Sequence, residues 1–170
     1  MNLSDKKNGG AVAVSKYCAD STSVTAGGAG DNTAINGAWI DRTLGGAIGL
    51  AGSAKVVVAW KTTLAANKTL SLAFKMQDAD TSGGSGSADA GVDAYPNGAA
   101  YASTAVATDS GSGSTLTGTS EFDVNLTGLR QFVRAVITPD LNASGTDTAT
   151  IMSAYLLFGS DRIPISASLV

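Results

Sequence analysis

The stretch "DADTSGGSGSAD", residues 78–89, has the residue types and spacing of a cation loop. Asp78, Asp80, Ser82 and Asp89 stand at positions 1, 3, 5 and 12 of a loop whose alternate side chains wrap a hard cation. Gly83 stands at the sixth position, where such a loop turns sharply. A calcium loop, however, takes about six to eight oxygens and a bidentate Glu at its last position. Here that place holds the shorter Asp89, and the ninth holds Gly86, which has no side chain. Half of the stretch is Gly and Ser, and similar filler recurs as "SGSGS" at 110–114. Asp78, Asp80 and Asp89 are therefore candidate calcium ligands in a segment that reads better as an exposed, flexible loop between strands. No metal and no cofactor is expected.

Other reactive constellations are hard to assemble. The chain has no His, which removes Ser-His and Cys-His nucleophile pairs and imidazole metal sites. Cys18 is the single cysteine and reads as a small buried thiol. The acids are scattered, and no glycine-rich segment carries the lysine of a phosphate loop. An enzyme is not expected. Net charge is −3, and no basic run exceeds Lys6-Lys7, so a nucleic-acid footprint is absent. "LGGAIGLAG" (44–52) is too short and glycine-rich to span a bilayer, and "MNLSDKKNGG" lacks the apolar core of a signal peptide. The expectation is a soluble protein made in a cytoplasm, with neither nucleic acid nor membrane as a partner.

The elements that would position any site are strands. With 170 residues, one domain is the default. Charged residues make up only 15%, against about 25% in ordinary globular domains. Helical periodicity is weak and glycine interrupts most candidates, whereas alternation is clear in several segments. In "AKVVVAWKTTL", Val56, Val58 and Trp60 oppose Lys55, Ala59 and Lys61; in "TLSLAFKMQ", Leu70, Leu72, Phe74 and Met76 oppose Ser71, Ala73 and Lys75. The short link "AANK" predicts that these two strands form a hairpin. Phe122, Val124 and Leu126 read as inward, with Glu121, Asp123 and Asn125 outward. Short strands joined by Gly-rich turns predict an all-β fold, a jelly-roll-like antiparallel β-sandwich over 38–170. Residues 1–37, in which only "AVAVSKY" (11–17) looks strand-like, read as an extended N-terminal arm or irregular lead-in.

Two strands carry the candidate interface. In "RQFVRAVIT", Val133, Ala135 and Ile137 read as core, leaving Arg130, Phe132 and Arg134 outward; Arg and aromatic residues are enriched at protein interfaces. The competing reading has those arginines pairing with acids across the sheet. In "TIMSAYLLF", Met152, Ala154, Leu156 and Phe158 lie on one face, and Ile151, Tyr155 and Leu157 on the other. A sandwich buries only one face of a strand. An apolar second face predicts a subunit contact, here assigned to Tyr155 and Leu157.

The C-terminal third, "LRQFVRAVIT…GTDTATIMSAYLLFGSDRIPI", resembles the endings of small virion proteins of tailed bacteriophages, notably head decoration (cement) proteins. The resemblance rests on Leu129 to Arg134, Asp147-Thr148, Ile151 to Phe158, and Gly159, Arg162 and Pro164, about forty residues in all. It implies a non-enzymatic β-rich homotrimer on the outside of the capsid, braced between capsomers with the major capsid protein as its partner. The alternative is a carbohydrate-binding jelly-roll module of a phage fibre or baseplate. That module would need an exposed aromatic platform from Trp39, Tyr95 or Tyr101, Trp60 reading as core. A hydrolase fits least, for want of a histidine.

Overall fold

A computed structural model describes residues 13–43, 51–86, 88–89, 101–142 and 145–158. Among them there is no helix, and the strands run in the order β1 (Ala13–Thr25), β2 (Ile35–Asn36), β3 (Ile40–Asp41), β4 (Ser53–Leu64), β5 (Thr69–Ala79), β6 (Ala88–Asp89), β7 (Tyr101–Thr108), β8 (Ser114–Asn125), β9 (Phe132–Leu141) and β10 (Thr148–Phe158). One sheet has the order β1-β10-β4-β8. The other has the order β2-β9-β5-β6, with β3 added on β9 and β7 on β5. All strand pairs are antiparallel.

The pairing follows a simple rule. The first strand meets the last (β1 with β10), the second meets the one before it (β2 and β3 with β9), β4 meets β8, and β5 meets β6 and β7. This is a long antiparallel ribbon wound on itself, the double Greek key of a jelly roll. The expected all-β, jelly-roll-like sandwich is the fold.

Local alternation explains the layers. In β4, Ala54, Val56, Val58, Thr62 and Leu64 are buried, as are Leu70, Leu72, Phe74 and Met76 in β5. Val133, Ala135 and Ile137 of β9 and Phe122 and Val124 of β8 point to the same interior. The Phe74 and Phe122 rings stack between the sheets, centroids 4.5 Å apart, an offset of the kind aromatic pairs favour.

Two sequence expectations are corrected. β4 and β5 do not form a hairpin: β4 pairs with β10 and β8, β5 with β9 and β7, and the link 65–68 crosses from one sheet to the other. Its backbone is held from outside, Ala65 N–H donating to Asp147 Oδ1 (3.0 Å) and Asn67 N–H to Asp109 Oδ2 (3.2 Å). A four-residue link can span from one sheet to the other as well as turn a hairpin, and the neighbours that pair with β4 and β5 on either side decide which it does. Nor is 13–37 an arm. β1 lies along β10, with Cys18 and Val24 in the core, and β2 pairs with β9. Register shifts after Tyr17 and after Ala19 break the period of β1, which is why only its first residues, within "AVAVSKY", look strand-like in the sequence. Residues 1–12 lie outside the described residues.

The second Gly/Ser segment is not idle filler. Ser114 Oγ (2.6 Å) and the Gly111 and Gly113 amides (2.8 and 3.1 Å) all donate to Asp109 where β7 crosses to β8. Those bonds, the Ser114 hydroxyl foremost, hold the Asp109 carboxyl well below the usual carboxylate range.

Candidate interaction surface

The outer face of the four-stranded sheet carries an apolar stripe. Register places Tyr17 beside Ala154, Ala154 beside Val57, and Met152 beside Ala59. Tyr17 is 56% exposed and Met152 50%, and they are the exposed large hydrophobic side chains among the described residues. Between them lies a depression of about 280 Å³ lined by Tyr17, Ala19, Asp20, Val57, Ala59 and Met152, among others. The floor is alanine and valine, so a partner backbone can approach closely. One rim is charged: Lys55 Nζ sits 2.7 Å from Glu121 and 3.0 Å from Asp123. Toward the other end of the same face are hydroxyls, Thr63 bonding Thr115 at 3.0 Å. Such a surface offers contact area with a polar rim, the anatomy of a protein interface.

The residues singled out from sequence are distributed differently. Arg130, Phe132 and Arg134 do face away from the core side of β9, and all three are half-buried. Arg130 is committed within the chain. Its Nη2 donates to Asp78 Oδ1 and to the Asp78 carbonyl (both 2.8 Å), its Nη1 to Asp80 Oδ2 (3.1 Å), and its backbone N–H to Asp78 Oδ2 (2.9 Å). Arg134 Nε donates to Gln77 Oε1 (2.6 Å), and its guanidinium lies 4.7 Å from the Trp39 ring centroid. Phe132 pairs with Ala79 and Asp41. The reading in which the arginines pair with acids across the sheet fits Arg130; Arg134 bonds the neutral Gln77 and covers Trp39 instead.

Tyr155 and Leu157 are corrected outright. Both are fully buried, so they cannot face a subunit. The Tyr155 hydroxyl accepts from Ala135 N–H (2.6 Å) and donates to the Ala38 carbonyl (3.3 Å), bolting one sheet to the other. Burial, with Cys18 next, pushes its pKa well above the ordinary phenol value, and burial likewise raises the Cys18 thiol. Gly37 makes this junction possible, since a Cβ there would stand 2.6 Å from Cys18 Sγ and 2.7 Å from Tyr155 Oη. The apolar face left outside on β10 is instead Met152, Ala154 and Leu156.

The calcium candidates resolve into an ion-pair network. Asp78 belongs to strand β5 and is buried, and both it and Asp80 are held by Arg130. Burial alone would raise the Asp78 carboxyl; the Arg130 bonds and charge outweigh it and hold it below its ordinary value. Among the described residues, no group of three or more Asp, Glu or Cys is placed to hold a metal. The Asp89 side chain lies outside the described residues, as do Tyr95, Gly159, Arg162 and Pro164.

Sequence reasoning missed Arg42. It is 1% exposed, and among the described residues its guanidinium bonds backbone carbonyls: Ala51 (3.1 and 2.9 Å), Leu129, and Arg130 (3.1 Å). Burial lowers its pKa, with the Asp78 charge acting in opposition. An arginine among polar neighbours reads as surface, and no local signal announces three carbonyls converging from distant segments. Trp39 is no open sugar platform either. Arg134 covers its face, and Gly84 packs so close that a Cβ would stand 2.7 Å from its Nε1. Compared with known proteins, the chain matches no family model and no curated sequence.

Proposed function

We propose that this chain is a non-enzymatic structural protein of a phage virion, of the head-decoration type. In this reading it binds the outside of the shell against the major capsid protein through the outer face of its four-stranded sheet. The observation that carries the reading is that face: Tyr17 and Met152, half-exposed over an alanine–valine floor. Low charge and small side chains suit close contact with a flat lattice, and a homo-oligomer carrying several copies of the face would multiply a weak contact into a firm one. The C-terminal resemblance supports the reading at the level of framework. Leu129, Val133, Ile151 and Tyr155, which carry it, are core positions of β9, β10 and the turn before β9. They preserve the sandwich, and the docking residues lie on other positions.

The test is co-sedimentation of the purified protein with mature heads of the phage whose genome encodes it. Tyr17→Ser together with Met152→Asp removes contacts worth about 1–2 kcal/mol each, so affinity should fall on the order of 100-fold. The folded state should be nearly unaffected because both side chains stand largely in solvent. Failure of the parent protein to bind heads at micromolar concentration, or equal binding by the double variant, rules the reading out. So does a gene that lies away from capsid genes in a cellular genome.

A further inference from the structure

A sandwich has open sheet edges, and each edge presents unpaired N–H and C=O groups that invite another strand. Three edges here are blunted. β1 is broken by two register shifts, carries Lys16 and Asp20, and already gives its Cys18 carbonyl to Ala38 N–H (2.7 Å). β2 and β3 are two residues each, and β7 meets β5 through two register shifts. β8 is different. It pairs with β4 over twelve residues, Ser114 to Asn125, without a shift, and no described strand lies on its other side. Its segment 114–120, "STLTGTS", contains no charge and no proline.

We propose that the uncharged segment 114–120 of β8, on the edge away from β4, pairs antiparallel with the same segment of a second copy across a two-fold axis, joining two four-stranded sheets into one of eight strands. The inference stands apart from the virion reading and does not rest on it. Charge placement selects the geometry. Parallel, in-register pairing would set Glu121 beside its own copy, which is destabilising. Antiparallel pairing centred on Gly118 sets Thr117 opposite Thr119 and Glu121 opposite Thr115, so that no like charges meet. The centre is also shaped for approach. A Cβ on Gly118 would stand 2.5 Å from Trp60 Cζ2, and the half-buried Trp60 indole, bonded through Nε1 to Ser120 Oγ (3.1 Å), lies over that glycine at the sheet edge. Two glycines meeting at the axis leave room for two indole rims to cover each other. An isologous edge of this kind closes as a dimer.

Sedimentation velocity of the full chain at micromolar concentration should give a dimer. Thr117→Lys with Thr119→Lys places lysine opposite lysine twice, and should weaken the dimer by about tenfold or more while the chain stays folded by circular dichroism, since both side chains are exposed. Cysteine pairing fixes the register. On mild oxidation, an equimolar mixture of Thr117→Cys and Thr119→Cys chains should cross-link efficiently, and each chain alone should not. A monomeric or trimeric parent protein, a double-lysine variant that still dimerises, or equal cross-linking by a single variant overturns the proposal. If heads are bound but no dimer forms, this inference alone fails; if the dimer forms and heads are ignored, the virion reading alone fails.

Discussion

Replacing Tyr155 with Phe deletes one oxygen from a fully buried ring and separates two accounts of this residue. In the folded chain that oxygen accepts the Ala135 amide proton at 2.6 Å and donates to the Ala38 carbonyl at 3.3 Å. Phenylalanine fills the same space, so no cavity opens and the loss is one of hydrogen bonding. A buried amide left without an acceptor costs about 1–3 kcal/mol. The longer bond to Ala38 adds roughly 0.5 kcal/mol, at the low end for a neutral hydrogen bond. The sum is about 2 kcal/mol, or a fall of about 4–8 °C in Tm for a chain of this size. Urea unfolding followed by Trp fluorescence should show a lower midpoint with an unchanged slope, because the surface exposed on unfolding is the same. An unchanged midpoint, or normal stability with altered self-association, would refute the core assignment and return Tyr155 to an interface.

Other outcomes follow from the same geometry. Gly37→Ala drives a Cβ to 2.6 Å from Cys18 Sγ and 2.7 Å from Tyr155 Oη; chemical denaturation should show a loss of about 1–3 kcal/mol, partly relieved when Cys18→Ala is added. Asp78→Asn weakens the charge-assisted bonds to Arg130 and should cost about 2 kcal/mol at neutral pH. Because the folded carboxyl titrates below its unfolded value, its stabilisation is complete above the unfolded pKa of about 3.9. It is lost as pH falls through the folded value, so the gap between parent and variant should close in acid and stay constant above pH 5. Calcium should leave the melting temperature unmoved, and terbium luminescence should not saturate below millimolar, because Arg130 already occupies Asp78 and Asp80.

What the amino-acid order determined by itself was which way side chains point. Period-two alternation is local, and in Leu70-Leu72-Phe74-Met76, Phe122-Val124 and Val133-Ala135-Ile137 the apolar set is the buried set. The absence of helical periodicity and the Gly-rich turns likewise placed the chain among all-β sandwiches. Which strand lies beside which was not legible. A four-residue link between two good strands fits a hairpin as well as an arch between sheets, and only the partners waiting on either side, β10 and β8 for β4, β9 and β7 for β5, decide between them. β10 posed the same problem across its thickness. With apolar residues on both faces, nothing local says whether Tyr155 or Met152 looks inward; the opposite sheet decides, through the Ala135 amide that meets the Tyr155 hydroxyl. Charged groups were hardest of all. Asp78 and Arg130 are 52 positions apart, and Arg42 is buried only because carbonyls from Ala51, Leu129 and Arg130 converge on it. A side chain's environment is the sum of such distant approaches, and chain order encodes them only through the fold.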